Sequence, residues 1–508
     1  MNSKELNQKY NKNKDIFHRY INNIKENMEV DIYSIINATL VKNPYNSSFP
    51  KKFFINKHLI ENNFLLFIKY CIKFYLKQFY FLFSYLISFF IFKIFYKKKE
   101  FKDNGSIGID IFFLVDNIVE NNKFEENYFI GLYDVLNKYN QDYIFIPRLY
   151  GIGKNPFKLI KLFQILNKDK RNFLFEFELF SIKNFLSLFI MILLYPFKTL
   201  RLLQKEDTDT DKLFNNELLR DINSLGFDAF SRYLFGQNIA KFKIVNKIYS
   251  WSEFQVIERS FNFAIRKNNN NINLIACQFY LNYEIYFNTY ICDLDYNMLS
   301  SPHSVLVNGK YYILNINKVK YINGVSLRYK KIFDYNYFKL IGSRVVVLGS
   351  YMESDTKYMI DSVSTFKNVL FKNHPVVDIE RYGKLNKNIR VVNENIYELF
   401  KDASIVISTG SGTLVEAVAC GISVIVIASQ DNLTANPLVK YGKGKIWDIA
   451  FSKDDVKRLY DELIEYRKNN LLEIHQISEW YKNNFFIKPT EENIVKAFEL
   501  DMNKDRIK

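Results

Sequence analysis

Cysteine is scarce in this 508-residue chain: Cys71, Cys277, Cys292 and Cys420 stand far apart, with no CxxC pair. That excludes a disulfide framework and a cysteine zinc site, and it fits a reducing compartment. The first residues, "MNSKELNQKYNKNKD", are polar and hold no apolar signal-peptide core. A cytoplasmic protein is expected. No uncharged run reaches the length of a spanning helix, about 20 apolar residues. Phe79 to Phe92 and Asn184 to Phe197 have 14 each. Both read as interfacial or core helices, and Pro196 should end or kink the second. Zinc-finger, RNP-type and Arg-rich motifs are missing. The net charge of +16, from 70 basic and 54 acidic residues, is therefore not read as nucleic-acid binding.

What is present is largely apolar. Hydrophobic residues make up 48 %, and the 17 % aromatic share comes mainly from 48 Phe and 36 Tyr. Length and composition suit two domains. The abundance of Asn, Lys and Ile looks like AT-rich coding bias, so Asn/Lys patches carry little functional signal. Residues 1–100 lean helical and basic. Within "FIKYCIKFYLKQ", Lys69, Lys73 and Lys77 recur every four residues, so a helix sets them in one stripe opposite Phe, Ile, Tyr and Leu. Lys93 and Lys97, Lys98 and Lys99 close the segment. This is the pattern of a helix lying on an anionic membrane. A core helix with lysines reaching outward is the other reading.

The period changes from residue 105. "GSIGIDIFFLVDN" (105–117) holds a buried strand from Ile107 to Val115, "NYFIGLYDVLNKYN" a helix, and "YIFIPRLYG" (143–151) a strand. This β-α-β rhythm predicts a parallel sheet. Helical material follows to about residue 245. A strand, a helix, "INLIACQFY" and, after a turn, the strand in "HSVLVNGKYYI" complete a first α/β domain over 101–335. The rhythm restarts in 336–508. "SRVVVLGSY", "KNVLFKNHP", "KNIRVVN", "SIVIST" and "ISVIVIAS" read as strands, with helices between. Two doubly wound domains predict a ligand in the cleft between them.

With only 17 glycines in the chain, three of them in "SIVISTGSGTLVEAVACGISVIVIAS" call for a reason. The knot Ser408–Thr413 lies past the carboxyl end of one strand and before a helix. Gly410 and Gly412 clear the way to the backbone. Ser408, Thr409, Ser411 and Thr413 offer hydroxyls, and a helix start offers N–H groups to a phosphate. Thr413 with Glu416 also matches a capping box, in which case the knot merely starts a helix. It is neither a Walker loop nor GxGxxG. One β-α unit earlier, His374 and Pro375 end a strand. Proline holds His374 extended at the crevice, where imidazole can donate to a phosphate or ribose. A purely structural histidine is the alternative.

A His-Pro after one strand and a Ser/Thr-rich turn after a later one resemble the donor half of GT-B glycosyltransferases. Bacterial sialyl-, Kdo- and related capsule transferases using CMP-sugars are the nearest in pattern. The resemblance implies donor binding by His374, Pro375, Ser408, Thr409, Gly410, Ser411, Gly412 and Thr413, with Glu416 supporting the turn or a ribose hydroxyl. The upstream half, "YSWSEFQVIERSFNFAIRK", "LIACQFY", "SSPHSVLVNGKYY" and "GVSLRYKKIF", is similar in order to bacterial O-antigen-type biosynthesis proteins. "NATLVKNPYNSSF" and "FLVDN…NYFIGLYDVL" extend the similarity, which covers about 35–440. One departure is that Phe279, not histidine, follows Gln278.

The expected fold is therefore α/β and GT-B-like: two doubly wound parallel-sheet domains facing a cleft, behind a basic helical, membrane-associating segment. The expected activity is glycosyl transfer from a nucleotide-sugar to a glycan or lipid-linked acceptor, on the inner face of the cell membrane. No metal cofactor is expected, and the "DLD" at Asp293–Asp295 is read as surface charge. The base that takes the acceptor's proton should come from the first domain, with Asp116, Glu253 and Glu258 as candidates. A teichoic-type polyol-phosphate transferase and a sugar-nucleotide epimerase are the competing activities.

Overall fold

The computed structural model describes residues 3–44, 46–55, 63–99, 106–150, 156–241, 245–375 and 377–500. Gly105 and Gly151, at the ends of two expected strands, lie outside them. The first sheet contains β1 (Ser106–Leu114), β2 (Tyr143–Tyr150), β3 (Val245–Trp251), β4 (Asn273–Gln278), β5 (Ser304–Val307) and β6 (Lys320–Asn323). The second contains β7 (Arg344–Leu348), β8 (Val369–Lys372), β9 (Ile389–Val391), β10 (Ala403–Ser408), β11 (Ser423–Ile427) and β12 (Trp447–Ala450). Their orders are β2-β1-β3-β4-β5-β6 and β12-β11-β10-β7-β8-β9, and the pairings are parallel. Both are doubly wound, with order reversals between β1 and β3 and between β7 and β10. The GT-B-like architecture is present.

The strands form where the sequence is apolar on both faces, as helix-covered parallel sheets require. Ile107, Ile109, Ile111 and Phe113 are buried in one sheet, and Val345–Val347 and Ile405–Ile407 in the other. Two details differ from the expectation. β5 does not follow a turn: it pairs parallel to β4 after a crossover that includes the short helix Asp293–Asn297. β6 and β12, four residues each and partly polar, had no legible pattern.

The first of the two greasy runs lies within a far longer helix, Asn63–Phe95, 33 residues long. The second lies within Ile182–Thr199, which runs three residues past Pro196 before tightening into the 3-10 turn Leu200–Leu202. By length and composition, Asn63–Phe95 and the continuous stretch Ile182–Leu202 are each long and apolar enough to cross a membrane. They pack side by side, with Phe79 and Phe189 rings 5.6 Å apart. Leu66, Phe74, Phe89 and Phe92 bury into the core of the first sheet. The opposite face is bare. From Leu65 through Ile72, Leu76, Phe83 and Phe90 to Ile94, an apolar stripe runs the length of the helix, with Leu76 71 % exposed. Withdrawing each such side chain from water is worth about 1.5–3 kcal/mol, so a face like this is normally covered. Lys69 and Lys73 are exposed beside it. Lys77 is not part of that stripe: its ammonium donates to the carbonyls of Asn223 (3.0 Å) and Leu225 (3.1 Å).

The N-terminal helix Ser3–Asn27 lies across both units. Lys25 pairs with Asp295 of the first unit, whereas Asn7 donates to Thr434 and Ser3 to the Phe451 carbonyl of the second. The C-terminal residues cross back. Phe498 enters the core of the first sheet, where its carbonyl accepts from the Tyr249 hydroxyl at 2.8 Å. These two straps hold the cleft between the sheets.

Candidate functional site

At the carboxyl ends of β7, β10 and β11, the second sheet meets the N-terminal segment around a small cavity of about 80 Å³. Pro44, Lys51, Ile285 and Tyr286 supply one wall, and Ser350, Tyr351, Asp355, Thr409, Gly410 and Leu433 another. This is where an open α/β sheet receives its ligand.

The knot's residues do not act alike. Ser408 ends β10 and donates to the Leu348 carbonyl at 3.0 Å, pinning β10 to β7. Its hydroxyl is spent. Thr409 is buried and lines the cavity, and its hydroxyl has no hydrogen-bond partner among the described residues. Such orphans are uncommon in folded proteins. Gly410 is needed because a Cβ there would stand 2.9 Å from that of Ala435. At Gly412 a Cβ would meet Leu281 of the first unit at 3.0 Å. Gly412 thus serves close packing of protein on protein, a correction to its reading as ligand clearance, whereas Gly410 also lines the cavity.

The capping box does not form either. Gly412 is the cap residue, and Thr413 is the first residue of the helix Thr413–Ala419. Ser411 accepts from the Thr413 N–H at 3.3 Å, so part of its capacity goes to starting that helix. Glu416 is buried and accepts from the Tyr397 hydroxyl and the Thr413 side chain; burial raises its pKa.

His374 follows β8 and is half-buried, with its ring edge-on to Tyr351, centroids 6.0 Å apart. Desolvation lowers its pKa and so favours the neutral, hydrogen-bonding imidazole. Gly349 lets the loop after β7 approach, since a Cβ there would lie 3.0 Å from the backbone nitrogen of His374. Pro375 is exposed.

Two charged residues at this crevice carried no legible signal in the sequence. Asp355 is buried, accepts from the Ser429 hydroxyl at 2.8 Å, and has its pKa raised by burial. Lys51 is half-buried opposite, its pKa lowered by desolvation. A phosphate here would meet a hydroxyl and an ammonium, and a ribose hydroxyl would meet a carboxylate.

The proposed bases lie apart from this crevice. Asp116 is exposed and paired with Lys158 at 2.7 Å. Glu253 accepts from the Gln255 amide at 2.7 Å. Glu258 is neither an exposed charge nor a free base: it is 4 % exposed, pairs with Arg148, and accepts from the Gln255 N–H at the start of the helix Val256–Asn268. Its partner Arg148 also binds Asp110, which accepts from Ser250 and Arg232 as well. A carboxylate inside "IGIDIFF" was the available signal for this network, because a buried charge demands partners. The "DLD" reading also needs correction. Asp295 is buried between Lys25 (2.9 Å) and Arg259 (2.7 Å), which hold its pKa well below the usual range despite burial. Asp293 is half-buried and accepts from the backbone N–H groups of Asn317 (3.3 Å) and Lys318 (2.7 Å).

No family model matches this sequence, and no curated protein does. Solved structures do. UDP-GlcNAc 2-epimerase from Neisseria meningitidis, bound to UDP-GlcNAc, aligns over 77 % of this chain and 99 % of its own, at 10 % identity and TM-score 0.41. The calicheamicin glycosyltransferase CalG4 aligns over 80 % and 99 %, at 8 % identity and TM-score 0.39. UDP-GlcNAc 2-epimerase from Methanocaldococcus jannaschii aligns over 78 % and 99 %, at 12 % identity and TM-score 0.39. Likeness of this degree says nothing about what the present chain binds.

Proposed function

We propose that the protein transfers a sugar from a nucleotide-activated donor, a CMP-sugar, to a surface glycan or lipid-linked glycan acceptor at the inner face of a membrane. The observation that carries this reading is the buried, unpartnered Thr409 hydroxyl lining a crevice at the carboxyl ends of β7 and β10. His374 stands beside the same strand ends. Thr409 would donate to the leaving phosphate, with Lys51 offsetting its charge. Neutral His374 would hydrogen-bond phosphate or ribose, and Asp355 would accept from a ribose hydroxyl.

A sugar-nucleotide epimerase would use the same crevice, but it has no use for an exposed apolar helix face. That face favours the transferase. A polyol-phosphate transferase shares both features and is separated by the group that it moves. In a thermal-shift series, CMP should raise the melting midpoint more than UDP, CDP or GDP at equal concentration, since only a ligand of the native state stabilises by mass action. Preference for UDP would remove the CMP assignment.

The membrane has its own test. The protein should sediment with anionic vesicles, less so at high salt, and the Lys69→Glu/Lys73→Glu double variant should sediment less at equal salt. Unchanged sedimentation would make these lysines ordinary solvated surface.

A further inference from the structure

A second cavity, about 440 Å³, lies at the carboxyl ends of β1 and β2, under the helix Asn63–Phe95. Its volume suits a sugar-sized head with part of a chain. Asp116, Arg148, Glu176, Asp228 and Arg232 form its polar part, and Phe81, Phe175 and Phe177 its aromatic part.

Arg232 is 1 % exposed, yet incompletely satisfied. One terminal nitrogen pairs with Asp110 at 2.9 Å and the other lies 3.7 Å from Glu176. The latter and Nε have no hydrogen-bond partner among the described residues. Buried guanidinium N–H groups are normally all used. Asp228 is exposed where it lines the cavity, and desolvation raises its pKa and that of Glu176. Both carboxyl groups can accept hydrogen bonds from the hydroxyls of a ligand.

The aromatic part adjoins the outside. At about 100° per residue, Phe81, Ser84, Tyr85 and Ser88 share one helix face, next to the exposed face of Tyr80, Phe83 and Ile87. Ser84 stands at the border between chamber and exposed stripe.

We propose that this chamber binds an amphiphile, with a hydroxylated, sugar-like head against Asp228, Glu176 and Arg232 and an alkyl chain leaving along the aromatic wall toward the exposed helix face. Only the name acceptor for this ligand rests on the transferase reading; the binding does not.

Calorimetric titration with n-nonyl β-D-glucoside, below its critical micelle concentration, tests it directly. Methyl β-D-glucoside serves as head alone, and tetraethylene glycol monooctyl ether as a chain with the wrong head. The nonyl glucoside should bind saturably and more tightly than either control by about tenfold or more. Asp228→Asn, which keeps the side chain's shape, and Ser84→Trp, which fills the border, should each weaken binding by a similar factor with melting retained. Equal binding of the ether, or undiminished binding by Asp228→Asn, would overturn the proposal. CMP titrated in parallel separates the two readings. Glucoside binding without nucleotide binding keeps the chamber and removes the transferase. Nucleotide binding without glucoside binding does the reverse.

Discussion

Replacing Asp295 with alanine is expected to cost about 3–5 kcal/mol, the range for breaking a buried ion pair by removing one partner. Lys25 and Arg259 reach it from the N-terminal helix and from Val256–Asn268, and all three side chains are nearly inaccessible to water. Without the carboxylate, two buried cations face each other, with Lys42 close by. The Cys292 N–H, which Asp295 also accepts, loses its partner. Asp293→Ala, two residues away, removes an acceptor for the Asn317 and Lys318 N–H groups but breaks no buried ion pair, and should cost less. Denaturant unfolding of the two variants checks the contrast. Equal costs would mean that the buried ion pairs of Asp295 add nothing beyond ordinary hydrogen bonding.

The second large effect is on sugar transfer. His374→Ala and Thr409→Val should each lower the rate by ~10²–10³, the usual loss when one preorganised donor to a developing charge is removed. Stability should follow a different pattern. Valine keeps the shape of Thr409 and removes an unpaired buried hydroxyl, so its melting midpoint should hold or rise. Initial rates with melting curves on the same samples check this. Lower melting with an unchanged rate would make Thr409 a scaffold residue.

The strands and the crevice were legible because their signals are local. Apolar runs buried on both faces mark β1, β7 and β10, and a Ser/Thr/Gly knot between two such runs marks a turn at a sheet's end. Roles that depend on distant partners were not legible. Glu258 is held by Arg148, 110 residues away, and Lys77 by carbonyls about the 3-10 turn Ile222–Ser224, so neither side chain goes where its own helix would send it. Gly412 displaces Thr413 as cap residue, and Leu281 of the other unit packs against that glycine. No local pattern encodes that contact. The two greasy runs appeared short because Lys69, Lys73 and Lys77 interrupt the first and Lys183 and Lys198 bound the second. The helices themselves extend beyond those charges.

Calorimetric titration of CMP, with UDP in parallel, into the wild-type protein and Thr409→Val reads the occupied crevice most directly. Saturable binding of CMP to the wild type is expected, weaker in Thr409→Val by about tenfold or more, with a melting midpoint no lower than that of the wild type. Equal affinity in both proteins, or no nucleotide bound by either, would contradict a donor site at the ends of β7 and β10.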